Sequence, residues 1–206
     1  SAGAVVFCVL GIGALLLYPQ NADLGFALHA SLYLAAAAVW SPFFSYAREA
    51  LAGAVPGLPH WTVWIVLAST LSCYSIARHS AGERRRRRML WIIPAALTSV
   101  GFAALGVVAL HALVSARFAL TASVTAGIRT IVTCLVALGL GFLASRFKRP
   151  ELGWLAYVAV GLGALKLLVE DFRIGNAVSL VISLLFYGLI LILLPRLLRP
   201  AIRNSM

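Results

Sequence analysis

Apolar residues run through this chain in long blocks, separated by short polar breaks. Inside a block there is neither the strict alternation of a half-buried strand nor the single stripe of a surface helix. The blocks are apolar all round, as expected of a buried or membrane-crossing helix. Several approach the roughly 20 residues that a helix needs to cross a bilayer. We expect spans at residues 3–18, 24–46, 61–77, 89–114, 121–147, 152–169 and 177–194. The first is closed by "PQNAD", the second has Pro42 near its end, the third is opened by "GLPHW", and the last is stopped at Pro195. Gly and Pro within these blocks do not argue against helix, because lipid forces the backbone to satisfy its own hydrogen bonds. The pattern predicts an all-α, polytopic transmembrane helical bundle of about seven spans, forming one transmembrane domain over residues 1–206. The chain opens at Ser1 almost inside an apolar run and has no basic segment before it. It does not read as a signal peptide; a processed N-terminus and missing upstream residues both fit.

Composition agrees. Charged residues make up 11% of the 206 and mean hydropathy is +0.99. A soluble domain carries about 25% charged residues. The net charge of +11 would suggest nucleic acid in a soluble protein. Here the cations gather in short loops. Arg78 and the run Arg84, Arg85, Arg86, Arg87 and Arg88 follow the third block. Arg146, Lys148 and Arg149 follow the fifth, and Arg196, Arg199 and Arg203 follow or close the seventh. The alternate loops hold only Arg48 with Glu49, Arg117, and "EDFR" at 170–173. Cytoplasmic loops carry such an excess of Lys and Arg. The expected orientation puts Ser1 outside and the C-terminus in the cytoplasm, in a multi-pass protein of a bacterial inner membrane. Arg84–Arg88 are then expected to lie against anionic lipid headgroups, at roughly 1 kcal/mol per residue, or to dock an acidic partner. Nucleic acid is not expected as a partner, because no aromatic residues interleave with the arginines.

Trp61, Trp64, Trp91, Trp154 and Tyr157 fall near block ends, and Trp40 and Tyr46 bracket another. They are expected to form interfacial belts. Cys8, Cys73 and Cys134 each lie in an apolar run without CxxC spacing and read as small buried thiols. The small-residue patterns "GIGALLLY", "GLGFLA" and "GLGALK" suit close helix packing.

Ionisable residues at membrane depth are the functional pointers in such a chain. Arg129 is one. A helix starting near Thr121 would carry it roughly 12 Å inward at 1.5 Å per residue. A start at Ile128 would leave it interfacial, and this shallower placement is the one expected. Lys166 is the other; it shares a helix face with Glu170 and is followed by Asp171. Arg129, Lys166, Glu170 and Asp171 are expected to form one polar cluster near the outer ends of the last three spans. It would either lock the helix ends or gate a pathway. His29, His60, His79 and His111 show no metal spacing, so no metal is expected. As neutral imidazoles they are weak candidates for haem or pigment ligands, and no cofactor is expected. There is no GxSxG, no P-loop and no carboxylate pair at depth, so the chain does not read as an enzyme or a classical proton-driven transporter.

The tail "GALKLLVEDFRIGNAVSLVISLLFYGLILILLPRLLR" resembles the C-terminal repeat of a bacterial family of multi-pass predicted membrane proteins of uncharacterised function. Lys166, Asp171, Gly188 and Arg196 carry the resemblance. The Glu170-Asp171 doublet and the "LPRLLRP" ending depart from it. The resemblance covers the last quarter of the chain and implies a helical membrane fold and a bacterial source, with no activity. The function expected is that of a structural or accessory subunit of a larger membrane complex, with other membrane subunits and lipids as partners. The alternative is a transporter or lipid-handling protein using the polar cluster.

Overall fold

The computed structural model describes residues 2–21, 24–79, 91–118, 121–147, 149–171 and 177–203. Among them there is helix and connecting turn, and no strand. The helices are α1 (Ala2–Asn21), α2 (Leu24–Trp40), α3 (Phe43–Ala52), α4 (Trp61–His79), α5 (Ile92–Ser115), α6 (Ala122–Phe147), α7 (Pro150–Lys166) and α8 (Ala177–Arg203). A widened π turn, Leu167–Asp171, continues α7. Four segments are long and apolar enough to cross a membrane: Ile92–Ser115, Ala122–Phe147, Glu151–Val169 and Leu180–Leu198. Ala2–Ala14 and Leu28–Trp40 are apolar but shorter.

Three boundaries differ from the sequence expectation, the first being that α1 does not close at Pro19 but runs through it to Asn21. The second block does not continue to residue 46: it breaks at Ser41-Pro42 into α2 and the short α3. Proline brings no N–H to the ladder. The Ser41 hydroxyl spans the break, donating to Ala38 O (3.1 Å) and accepting from Phe43 N (3.3 Å). α3 buries Phe43, Tyr46, Ala47 and Ala50 on one face. At the other end, α8 does not stop at Pro195 but runs on to Arg203. Leu194 and Leu198, on either side of the proline, are both buried. Their packing outweighs the one hydrogen bond that Pro195 forfeits.

The chain divides into two compact units, Ser1–Ala104 and Leu105–Met206, with α5 crossing the boundary. In the first unit α1 packs along α2 and α4, and α3 packs on α2 and α4. Gly3 meets the Trp40 ring and Gly11 meets Leu34, so α1 and α2 run antiparallel. Gly101 lets α5 approach Leu67 and Phe43 closely. Trp91 is buried in this unit, and so is Tyr46. Both were expected in an interfacial belt; their rings turn into the unit and not outward. A helix end can turn its aromatic inward as readily as outward, and block position alone does not decide which.

In the second unit α6 packs against both α7 and α8, which also touch each other. Gly141 admits Leu194, and Gly153 admits Leu198. Ser183, Ile190, Leu194 and Leu198 share the buried stripe of α8. Most of its remaining surface is apolar and exposed, including Val181, Ile182, Leu185 and Ile192. Cys8, Cys73 and Cys134 are buried free thiols, as their surroundings in the sequence suggest.

Candidate functional site

In the second unit Lys166 of α7 and residues of α6 make a polar contact between the two helices. α6 begins at Ala122, where the Thr121 hydroxyl accepts from Val124 N (3.4 Å) and pairs with Ser123 Oγ (3.0 Å). This is an N-cap at the deeper of the two expected starts. Arg129 is therefore not interfacial to its helix; it lies roughly 10 Å along the axis and is 4% exposed. Arginine is almost never that buried without hydrogen-bond partners.

Lys166, at the end of α7, reaches across to α6. Its ammonium donates to Ala126 O (3.3 Å) and to Thr130 Oγ1 (3.1 Å). Thr130 Oγ1 in turn donates to Ala126 O (3.3 Å), so the three groups close a small ring of hydrogen bonds. One helical turn on, Thr133 Oγ1 donates to Arg129 O (2.8 Å). Lys166 thus contacts the turn of α6 on either side of buried Arg129. The π turn that carries Glu170 and Asp171 packs against α6 and α8. The side chains of Glu170 and Asp171, and with them their predicted approach to Arg129, lie outside the described residues.

Three polar residues in this unit were missed by the sequence reading. Tyr187 on α8 donates to Val160 O on α7 (2.9 Å). It sits opposite Gly163 and Thr133, beside an apolar cleft of about 10 Å³ that is also lined by Cys134 and Ile190. That volume is at the threshold for a single water molecule. Ser183, one turn before Tyr187, is fully buried, and its hydroxyl has no hydrogen-bond partner among the described residues. Glu151, in the first turn of α7, is 3% exposed and pairs with Arg149 (3.3 Å). An acid in the first turn, directly after Pro150, complements the helix dipole, and that signal was available in "RPELGW".

The histidines go separate ways. His29 is exposed and lies against Tyr33 (6.2 Å between centroids). His60 Nδ1 lies 3.0 Å from Thr62 Oγ1 and accepts from Thr62 N (3.4 Å), capping α4. His111 is half-buried on α5. The side chain of His79, and the whole of Arg84–Arg88, lie outside the described residues. Among the described residues no three His, Cys, Asp or Glu side chains group as a metal site would.

Comparison with protein-family models, with curated proteins and with solved structures finds no match to this chain. The likeness of the tail rests on its own residues and carries no further argument.

Proposed function

We propose that this chain is a structural or accessory subunit of a larger bacterial membrane complex. In this reading residues 1–206 are one transmembrane domain of about seven spans in the inner membrane. α1, α2 and α4 cross together with the four long apolar helices, and the C-terminus is cytoplasmic. The observation that carries it is the state of Lys166. Its ammonium is tied into α6 through Ala126 O and Thr130 Oγ1. A cation satisfied within one helix pair acts as a lock between helices, and it leaves no charge offered to a passing solute. The cleft beside Tyr187, about 10 Å³ and apolar, supports the same reading. The arginines at 84–88 face anionic headgroups on the cytoplasmic side, and other membrane subunits cover part of the apolar surface.

A second reading is a transporter or lipid-handling protein. It is favoured by one feature: a π turn, a geometry common at functional sites, lies against the helix that carries buried Arg129. The native mass after gentle extraction from the source membrane separates the two. A mass well above any small homo-oligomer is expected. A monomer or small homo-oligomer would move the weight to transport.

A further inference from the structure

Four aromatic residues and one leucine are left exposed at a single end of the first unit. Trp40 closes α2 and is 67% exposed, Leu58 in the loop before α4 is 92% exposed, and Phe44, Trp61 and Trp64 are about half exposed. They share an end for geometric reasons. Gly3, near the start of α1, lies on the Trp40 ring. Gly101 touches both Phe43 and Leu67, so the first turns of α4, which carry Trp61 and Trp64, lie beside the start of α3. α3 is joined to α2 at Ser41-Pro42 and packs on α4 as well.

We infer that α3 and the loop 53–60 form an interfacial anchor, seated at the headgroup–acyl boundary of the bilayer and not crossing it. α3, Phe43–Ala52, is ten residues long, about 15 Å of helix, which is half a hydrocarbon core. One face is committed to the protein. A second edge carries Phe44, Arg48 and Leu51, spaced so that the arginine rises between two apolar side chains. A third carries Ser45 and Glu49 toward water. Such a division into protein, lipid and water faces belongs to a helix lying in the plane of the interface. The tryptophans favour the same depth, since each ring has an apolar body and one N–H to satisfy. Leu58 gains only if its side chain enters acyl chains, because a loop tip in water would expose nearly all of it. Charged Arg48 and Glu49 at the rim suit lipid headgroups better than the charge-depleted core of a protein interface.

The inference rests on the membrane reading, and its test keeps the two apart. Leu58→Cys and Leu185→Cys are each labelled with bimane in the full chain and placed in phosphatidylcholine nanodiscs. The native cysteines are at most 5% exposed, and the labelled parent chain reports any background from them. Each probe is challenged with shallow doxyl-labelled phosphatidylcholine and with aqueous iodide. The Leu58 probe is expected to lose more than half of its emission to the doxyl lipid and little to iodide. Quenching by iodide alone would place the loop in water and overturn the anchor. Quenching by neither would mean that protein covers the loop, and would also overturn it. The Leu185 probe, on the apolar flank of α8, reads the membrane itself: if the lipid quencher fails there too, the membrane reading has failed with it.

Discussion

Lys166 donates to two oxygens of a neighbouring helix, and both acceptors also lie within reach of each other. A lysine costs about 2.5–3.5 kcal/mol at the centre of a membrane helix and less near an end, where Lys166 stands, and its two contacts offset that cost. Arg129, eight residues into α6 and buried, needs partners of its own. Arg129→Gln should keep a hydrogen-bonding amide but strand the partners of the guanidinium, and breaking a buried charged contact costs about 3–5 kcal/mol. We expect this variant to accumulate poorly in membranes, measured by quantitative blotting against the parent chain. Normal accumulation with a lost transport activity would support the gate instead. Ser183→Ala makes the complementary point. Its hydroxyl is fully buried and without a partner among the described residues. Removing it should leave the melting temperature in detergent unchanged or slightly raised, because an unsatisfied buried hydroxyl contributes no stability. At this scale the sequence located Arg129 and Lys166 because charges in apolar runs stand out. It passed over Ser183, Tyr187 and Glu151. A serine or tyrosine in an apolar helix has no sequence signal for the face it occupies, and Glu151 falls one residue before the span expected at 152–169.

Each long apolar block became a helix, since lipid-like sequence leaves no other way to satisfy the backbone. What sequence could not settle was where proline interrupts. Pro42 ends α2 while Pro195 sits inside α8, and the difference lies in tertiary contacts. Leu194 and Leu198 are held in the notches over Gly141 and Gly153, whereas Phe43 turns away to pack on Gly101. The glycines can therefore be told apart by experiment. A Cβ at Gly141 would come within 2.5 Å of the buried Leu194 side chain, whereas Gly139 faces open space. Gly141→Val should lower stability by about 1–3 kcal/mol through overpacking. Gly139→Ala should be neutral or gain up to about 1 kcal/mol from helix propensity. Thermal unfolding of both in one detergent checks the contrast. Equal effects would mean that α8 does not sit against α6 as described. Adding Leu194→Ala should relieve part of the Gly141→Val loss, because the two side chains compete for one space.

For the whole molecule, charge placement predicts orientation. Twelve of the cations fall in three segments that share a side if seven spans alternate, against sparse charge opposite. A membrane-impermeant maleimide should label a cysteine placed at Asn204 only after the cells are opened, and one placed at Ala116, in a loop of the opposite side, in intact cells. The reverse pattern would invert the orientation, and labelling of both from one side would break the span count. The total charge and apolar blocks were legible from sequence; the division into two units was not, because it depends on which helices share contacts. On this reading the polar contacts at depth hold the helices together. A double-mutant cycle of Lys166→Met and Thr130→Val, read by thermal unfolding of the purified protein, tests that most directly. We predict each single variant to be destabilised and the pair to be coupled by roughly 0.6 kcal/mol, the average for hydrogen bonds between membrane helices, and by no more than about 1.7 kcal/mol. Full stability in both single variants with no coupling would contradict the lock, and would leave Lys166 to be explained by a solute.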